Sequence, residues 1–163
     1  NSSKPHAVPT DRKIQKVDII TIDMGCKING YCSEMTRTIF VGEVPKNMKD
    51  VYDLVLKNQE QVLDDMHDGA STKQISKMVD NDFRLHNYDL IHALGHGVGL
   101  DIHEGPVLSI NSENTLKENM IVTDEPGIYI PGQFGIRIED TVLINKGTCE
   151  PLTKSNKKYV IVR

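Results

Sequence analysis

Two acidic residues lie on either side of a tight turn near the start of the chain. A β-branched run ends at Asp23, a second run begins after Asn29-Gly30, and Glu34 lies within it. Asn-Gly supplies the two positive-φ positions of a type I′ turn, so the pattern predicts a β-hairpin in which Asp23 faces Thr36. Glu34 is then a diagonal neighbour of Asp23, about 7 to 8 Å away at Cα. Carboxylates that converge on one face repel each other, so the pair either points into water or binds a metal ion.

The histidines form a second cluster. His92, His96 and His103 lie within twelve positions, and Gly95 and Gly97 flank the middle one. Glycines on both sides of a histidine indicate close backbone approach, which an exposed histidine does not need. A single histidine in this setting is more often structural, whereas three together favour a functional site.

Two further segments with acidic residues lie in the C-terminal half. Glu125 belongs to Asp124–Tyr129, and Gly135–Thr141 alternates isoleucine with Arg137 and Glu139. This alternation predicts a strand with Arg137 and Glu139 on the face opposite the isoleucines. Taken singly, Glu139 is an ordinary solvent-facing residue, and Arg137 is either an exposed strand arginine or the partner of a site carboxylate. The four segments together favour a functional site over separate surface charges.

Two helices and several short strands must position these groups. After Pro45, apolar residues recur at three- and four-residue steps until Gly69, which predicts an amphipathic helix. Ser71 and Gln74 match a capping box, and the apolar residues after them predict a second helix. Strands, two helices and further strands indicate an α+β fold with a largely antiparallel sheet covered by the helices. The strands predicted in the C-terminal half are Met120–Thr123, Ile128–Ile130, Ile136–Ile144 and Tyr159–Val162.

The composition of the 163 residues, 38% hydrophobic and 26% charged, is typical of one folded domain. The formal net charge is −4 with both signs interspersed, so no basic stripe is present for nucleic-acid binding. No apolar run approaches the roughly 18 to 20 residues of a membrane span, so we expect no membrane partner. The three cysteines are too few for a disulfide scaffold, and Cys26 and Cys32 lack the second pair of a typical zinc site. We expect a cytoplasmic protein.

Five motifs resemble the metallopeptidase family that includes aminopeptidase P, the Xaa-Pro dipeptidases and methionine aminopeptidase. They are Asp-Met-Gly from Asp23, Tyr-Cys-Ser-Glu-Met-Thr-Arg-Thr from Tyr31, Gly-His-Gly-Val-Gly-Leu-Asp-Ile-His-Glu from Gly95, Glu-Pro-Gly-Ile-Tyr from Glu125 and Gly-Ile-Arg-Ile-Glu-Asp from Gly135. The resemblance covers essentially the whole chain and is greatest to the proline-specific branch. It implies one catalytic domain, residues 1–163, with the curved pita-bread fold of creatinase and the aminopeptidases. Because Asn1 is not an initiator methionine and begins a loop-like stretch, we expect an N-terminal part upstream.

The resemblance implies a site for two metal ions. The implied ligands are Asp23, Glu34, His96, Glu125 and Glu139. The family's second ligand is normally aspartate, so Glu34 departs from the pattern by one methylene, which changes the reach of the carboxylate. Asp124 places a charge where the family usually carries an uncharged residue, and on a strand it would point away from Glu125. Four carboxylates and one imidazole suit Mn²⁺, Co²⁺, Fe²⁺ or Zn²⁺, and family habit makes Mn²⁺ the first expectation.

The activity implied by the resemblance is hydrolysis of the bond between an N-terminal residue and a following proline in small peptides. Two ions about 3.5 to 4 Å apart would hold a bridging water and lower its pKa to give a hydroxide nucleophile. Glu125 would accept the water's proton, while His103 and His92 would stabilise the oxyanion and help deliver a proton to the proline nitrogen. His6 matches a family histidine on the substrate side, and Arg137 is the second substrate-side candidate. The acidic cluster would attract the α-amine of the substrate.

Two other functions remain open at this point. Methionine aminopeptidase shares the ligand set and the Gly-His-Gly segment, and some relatives of this fold are binding modules without catalysis. Those modules typically lack several ligands, whereas only Glu34 deviates here. Cleavage of Met-Ala against Ala-Pro peptides would separate the two enzymes. Family analogy also makes a homodimer a candidate assembly.

Overall fold

The computed structural model describes residues 1–163, which form two helices and ten short strands. The helices are α1 (Lys46–Asp65) and α2 (Thr72–Leu85). The strands are β1 (Ile19–Ile28), β2 (Tyr31–Val41), β3 (Gly95–Gly97), β4 (Glu104–Leu108), β5 (Ile121–Asp124), β6 (Gly127–Ile130), β7 (Phe134–Arg137), β8 (Asp140–Ile144), β9 (Cys149–Pro151) and β10 (Ile161–Val162). The expected α+β class is confirmed.

The first two strands form the predicted hairpin. Asn29 and Gly30 have φ values of 52° and 90°, as the two central positions of a type I′ turn require. β1 and β2 pair antiparallel with Asp23 opposite Thr36, so the predicted register is confirmed. Glu34 lies opposite Gly25, two positions along the ladder from that pair.

The two helices also lie where the apolar pattern predicted them. α1 begins directly after Pro45 and ends at Asp65, before the positive-φ Gly69. At the start of α2 the Ser71 side chain accepts the Gln74 backbone N–H at 3.3 Å, which is one of the two bonds of a capping box. Buried apolar side chains of both helices join the strands in one hydrophobic core. Neither helix is both long enough and apolar enough to cross a membrane.

The strands form three sheets rather than the single sheet expected. Their orders are β1-β2-β10, β4-β3-β5-β8-β9 and β6-β7. All pairings are antiparallel except that of β10 with β2. An isolated bridge between Thr36 and Glu139 connects β2 to the segment between β7 and β8. The hairpin is therefore joined to the C-terminal half at the position of a predicted ligand.

The prediction of one continuous strand over Ile136–Ile144 is wrong. β7 ends at Arg137 and pairs with β6, whereas β8 begins at Asp140 and pairs with β5. The break arises because the Glu139 backbone N–H donates to Thr36 of another sheet at 3.0 Å. Two further differences concern other strands. The strand predicted over Tyr159–Val162 is shorter and corresponds to β10. The sequence did not predict β3, β4 or β9.

Candidate metal centre

The five predicted ligands come from five separate places in the fold. Asp23 is on β1, Glu34 on β2 and His96 on β3. Glu125 directly follows β5, and Glu139 lies in the break between β7 and β8. The side chains of Glu34, His96 and Glu125 are each less than one fifth exposed. Three sheets therefore bring carboxylates and one imidazole to a common, largely buried point.

The His96 ring is oriented as a metal ligand would be. Its Nδ1 lies 3.0 Å from the Gly97 carbonyl oxygen and donates to it, which leaves Nε2 as the nitrogen that faces away from the backbone. Glu34 Oε1 and Glu125 Oε1 each lie 3.3 Å from Nε2. Ligand atoms bound tetrahedrally at about 2.0 to 2.1 Å from one ion are about 3.3 Å apart. The distance from Nε2 to each carboxylate oxygen thus fits a pair of ligands on one ion.

Close backbone packing around His96 explains the flanking glycines. A Cβ atom at Gly95 would lie 2.1 Å from the Thr123 carbonyl oxygen, and one at Gly97 would lie 2.2 Å from the Gly105 carbonyl oxygen. Thr123 Oγ1 accepts the His96 backbone N–H at 3.0 Å and donates to Glu125 Oε1 at 3.2 Å. Thr123 therefore couples the position of the histidine to that of the glutamate.

Glu34 has an oxygen that the protein does not satisfy. Its Oε1 atom is buried and has no hydrogen-bond partner, although His96 lies nearby. Burial raises the pKa of Glu34, and the neighbouring Glu125 and Asp23 act in the same direction against the attraction of His96. Buried polar oxygens are nearly always hydrogen-bonded in folded proteins. Burial alone would lower the pKa of His96, but the hydrogen bond with Glu125 and the charges of Glu125 and Glu34 raise it to about 9, so Nε2 carries a proton at neutral pH without a metal ion. The orphaned Glu34 oxygen 3.3 Å from Nε2 fits a site in which a divalent cation would replace that proton.

Glu139 and Asp23 complete the acidic cluster. Glu139 is 2% exposed, and its Oε2 accepts the Thr36 hydroxyl at 2.5 Å. Burial, followed by the charge of Glu125, raises the pKa of Glu139 to about 8. Asp23 is more open, and its Oδ2 accepts Arg137 Nη2 at 2.5 Å. Clustered carboxylates of this kind are what divalent cations bind, so the donor set fits the expected ions.

His103 lies beside the cluster rather than within its buried part. Its ring is exposed and meets the His96 ring edge to face, with 4.4 Å between centroids. The ligand atoms of Glu34, His96 and His103 all lie within 4.8 Å of one another. The residue predicted to act in catalysis is therefore within reach of the same ion-binding point.

The other two predicted groups are linked by a tyrosine. His92 Nδ1 donates to the Ala93 carbonyl oxygen at 2.7 Å, and Nε2 lies 3.1 Å from the Tyr129 hydroxyl. That hydroxyl accepts Arg137 Nη1 at 3.0 Å, so it donates its own proton to His92. Burial lowers the pKa of His92, which favours the neutral ring that this arrangement needs.

Arg137 is buried, contrary to the exposed strand arginine considered as one alternative. It is 5% exposed and donates to Asp23, to Tyr129 and to the Pro5 carbonyl oxygen. It also borders a groove of about 980 Å³ along the N-terminal segment, where the exposed His6 is found. The two predicted substrate-side residues thus share one groove next to Asp23.

The chain is similar in sequence to known peptidases. A sequence profile described as metallopeptidase family M24 matches residues 1–146. The chain belongs to this family. It is 41% identical to the Xaa-Pro dipeptidase of Pyrococcus furiosus, over 98% of this chain and 46% of that protein. It is 42% identical to an uncharacterized peptidase of Methanocaldococcus jannaschii, over 94% of this chain and 45% of that protein.

Solved M24 structures share the fold. A dipeptidase from Pyrococcus horikoshii OT3 superimposes with a TM-score of 0.95 at 38% identity, over 99% of this chain and 46% of that one. An X-Pro aminopeptidase from Thermotoga maritima superimposes with a TM-score of 0.94 at 37% identity, over 99% of this chain and 46% of that one. The pita-bread fold is therefore confirmed, as is the greater similarity to the proline-specific branch. The chain spans about half the length of the relatives that it matches.

Asp124 ends β5, one position before Glu125, so its side chain lies on the face of β5 opposite Thr123 and the candidate metal centre, as the alternation of a strand predicts. It is fully buried opposite Asp140 on β8, and neither of its carboxylate oxygens has a partner. Burial and the nearby Asp140 charge hold the pKa of Asp124 well above its usual value. Acidic groups thus lie on both sides of β5, but the predicted ligands lie only on the side of the candidate site.

Several residues that contact predicted site residues were not themselves singled out from the sequence. They include Thr36, Arg37, Thr123 and Tyr129. Thr36 and Arg37 belong to the Thr-Arg-Thr motif, and Tyr129 ends Glu-Pro-Gly-Ile-Tyr. These motifs indicate the family, but nothing in their local pattern shows which distant residue each side chain contacts.

Proposed function

We propose that this chain carries the metal centre of an Xaa-Pro dipeptidase or aminopeptidase. The main support is that His96 Nε2 lies 3.3 Å from both Glu34 Oε1 and Glu125 Oε1, and that the Glu34 oxygen is buried without a hydrogen-bond partner. The names of the relatives from Pyrococcus furiosus and Thermotoga maritima favour proline-containing substrates over methionine. The proposed reaction is hydrolysis of the bond before a proline at the second position of a small peptide.

The proposed cofactors are two divalent ions, with Mn²⁺ as the first choice over Co²⁺, Fe²⁺ and Zn²⁺. The residues that would hold them are Asp23, Glu34, His96, Glu125 and Glu139. When bound, the ions would supply Lewis acidity to activate a water molecule and to polarise the scissile carbonyl. Most of these ligands are carboxylates, which suit Mn²⁺, whereas thiolate ligands would favour Zn²⁺. Glu34 in place of aspartate brings its oxygen to the observed 3.3 Å from His96.

Catalytic roles are assigned to three residues of the chain. Glu125 would accept the proton of the attacking water, because its carboxylate is fixed by Thr123 next to His96. His103 would stabilise the oxyanion and deliver a proton to the proline nitrogen, because its ring is exposed beside the centre. His92 would border the same carbonyl as a neutral ring, because both its nitrogens are engaged.

The substrate would enter along the N-terminal groove. His6 and Arg137 border this groove, and Arg137 fixes the adjacent backbone through Pro5. The acidic side chains would attract the free α-amine of the peptide, which provides a physical reason for action at an N-terminus. Most N–H groups of Arg137 already donate to other residues of the chain. We therefore propose that Arg137 mainly fixes the wall of the groove and is not the sole residue that binds the peptide.

The test combines metal content with substrate preference. Protein reconstituted with Mn²⁺ is analysed by inductively coupled plasma mass spectrometry, and hydrolysis of Ala-Pro and Met-Ala is followed in parallel. We expect two ions per chain and cleavage of Ala-Pro. A His96→Ala variant should lose both metal and activity. Two bound ions with preferential Met-Ala cleavage would favour methionine aminopeptidase, and absence of stoichiometric metal would favour a binding module.

A further inference from the structure

Glu139 is held at three points by two neighbouring residues of β2. Its backbone N–H donates to the Thr36 carbonyl oxygen at 3.0 Å, and its Oε2 accepts the Thr36 hydroxyl at 2.5 Å. Its carbonyl oxygen accepts Arg37 Nη1 at 2.5 Å, and the same nitrogen lies 2.9 Å from the Thr36 carbonyl oxygen. Main chain and carboxylate of Glu139 are therefore both fixed by this pair.

This anchorage compensates for the position of Glu139 outside any strand. The chain between β7 and β8 has only a single-residue bridge to β2, so no continuous ladder sets its orientation. Side chains of consecutive strand residues point to opposite faces, so Thr36 and Arg37 reach Glu139 from opposite faces of β2. One side chain orients the carboxylate, and the other fixes the backbone that carries it.

Arg37 is in turn held by a buried carboxylate on the side away from the centre. Its Nη2 donates to Asp140 Oδ1 at 2.7 Å and to the Ser155 carbonyl oxygen at 2.9 Å. Asp140 is fully buried. Its carboxylate also contacts Gln59 at 3.0 Å, Thr153 at 2.7 Å and Lys157 at 3.3 Å. Because each of these residues donates to the carboxylate, the Asp140 charge is compensated. The Arg37 guanidinium is therefore held in one orientation.

We propose that Thr36 and Arg37 are positioning residues that fix Glu139 for metal binding, with Asp140 and the segment of residues 153–157 bracing Arg37 from behind. This inference rests on the proposed metal centre. Groups that orient a ligand in this way typically change metal affinity 10- to 100-fold when removed, even though they do not touch the ion. A purely structural ion pair would instead change unfolding while leaving affinity in the folded protein unaltered.

The first experiment compares Thr36→Val with Thr36→Ser. Valine has nearly the same shape without the hydroxyl, whereas serine keeps the donor to Glu139. Mn²⁺ affinity is measured by isothermal titration calorimetry, bound ions are counted by electron paramagnetic resonance, and thermal unfolding of the metal-free proteins is recorded. We expect Thr36→Val to weaken at least one ion about 10-fold or more. Thr36→Ser should bind within about twofold of the wild type, a margin that reflects its retained hydrogen bond.

The second experiment tests the guanidinium with Arg37→Met. This change leaves the Thr36 hydroxyl in place, which also lies 3.2 Å from Arg137 Nε. It therefore tests the contact of Arg37 with the Glu139 backbone separately from the contact of Thr36 with the Glu139 carboxylate. Arg12→Met is the matched control, because Arg12 pairs with Asp18 at 2.8 Å on the exposed N-terminal segment. We expect weaker Mn²⁺ binding for Arg37→Met in the folded protein and none of this weakening for Arg12→Met.

The outcomes separate this inference from the proposed function. If the wild type binds two ions and the folded Thr36→Val and Arg37→Met variants bind them equally tightly, the positioning role is wrong while the metal centre stands. If one of these variants does not fold, the other decides the question. If the wild type itself binds no Mn²⁺, the metal centre fails and the positioning role falls with it.

Discussion

The three histidines between positions 92 and 103 differ in what their ring nitrogens contact. His92 has both nitrogens engaged by Ala93 and Tyr129. His96 donates through Nδ1 to Gly97 and presents Nε2 to two carboxylates. His103 is exposed and only stacks edge-on against His96. The same residue type therefore occurs in three different settings: with both ring nitrogens engaged, with one nitrogen facing two carboxylates, and with an exposed ring.

Replacement of His103 by alanine should lower turnover much more than metal content. A positioned acid or base typically contributes about 100- to 10,000-fold to the rate, so we expect a loss of kcat in that range. Metal content of His103→Ala should stay near that of the wild type in mass spectrometry, whereas His96→Ala should lose metal. Parallel loss of metal and turnover in His103→Ala would instead make His103 a ligand.

Alkylation of Cys149 should be slow and should accelerate with pH. Its thiol donates to the Leu63 carbonyl oxygen at 3.1 Å, and burial raises its pKa from 9.0 to about 11. At pH 8 the thiolate is therefore about 100-fold rarer than in the unfolded chain, and its amount should rise about tenfold per pH unit up to about pH 11. Time courses with iodoacetamide, followed by peptide mass spectrometry, measure this rate. Equal rates in folded and urea-unfolded protein would contradict it, and the exposed Cys26 serves as the internal control.

At the level of elements, β5 and β8 place two buried aspartates opposite each other in very different surroundings. Asp124 and Asp140 are register partners, and both are fully buried. Asp140 contacts donors from four residues, whereas neither oxygen of Asp124 has a partner. A buried carboxyl without a partner destabilises a fold. Removing a buried carboxylate that pairs with a cation is also destabilising, because it leaves the cation uncompensated.

The substitutions Asp124→Asn and Asp140→Asn should therefore have opposite effects on stability. Asp124→Asn removes an unpartnered carboxyl whose ionisation is opposed by burial and by Asp140, and it should raise the free energy of unfolding by about 1 kcal/mol or more. Asp140→Asn leaves Arg37 without its carboxylate and should lower it by about 3 to 5 kcal/mol. Urea unfolding of the metal-free proteins at pH 7 measures both changes. A loss of stability in both variants would show that Asp124 has a partner of its own.

At the level of the whole molecule, the candidate ligands join distant parts of the chain. They extend from Asp23 to Glu139, lie on or next to strands of all three sheets, and none lies on a helix. An ion bound by such a set stabilises only the folded state, because the unfolded chain does not bring the groups together. Metal binding and global stability should therefore be coupled.

Mn²⁺ should accordingly raise the melting temperature. At a free ion concentration of 100 times Kd, binding adds about 2.7 kcal/mol to the free energy of unfolding. For a chain of this length, that corresponds to a shift of about 5 to 11 °C. Differential scanning calorimetry with Mn²⁺ and then with excess EDTA measures the shift and its reversal. Glu139→Gln should show a smaller shift, and an equal shift in that variant would exclude Glu139 as a ligand.

Patterns that depend on near neighbours were predicted correctly. The type I′ turn at Asn29-Gly30 fixes the hairpin register, so the pairing of Asp23 with Thr36 follows from a few adjacent residues. The spacing of apolar residues likewise predicted both helices. The strand over Ile136–Ile144 failed because alternation predicts an extended backbone but does not specify its partner. There the partner changes from one sheet to another within three residues.

The sequence by itself determined the family, the α+β class and the types of group that gather at the centre, because motifs and periodicity are local. Only the tertiary structure decided which groups meet. Thr36 contacts Glu139 across 103 positions, Arg137 contacts Asp23 across 114, and Arg37 contacts Asp140 across 103. Such contacts depend on how three sheets pack together. Burial then sets the charge behaviour of Glu139 and Asp124, because it removes the water that would otherwise stabilise their ionised forms.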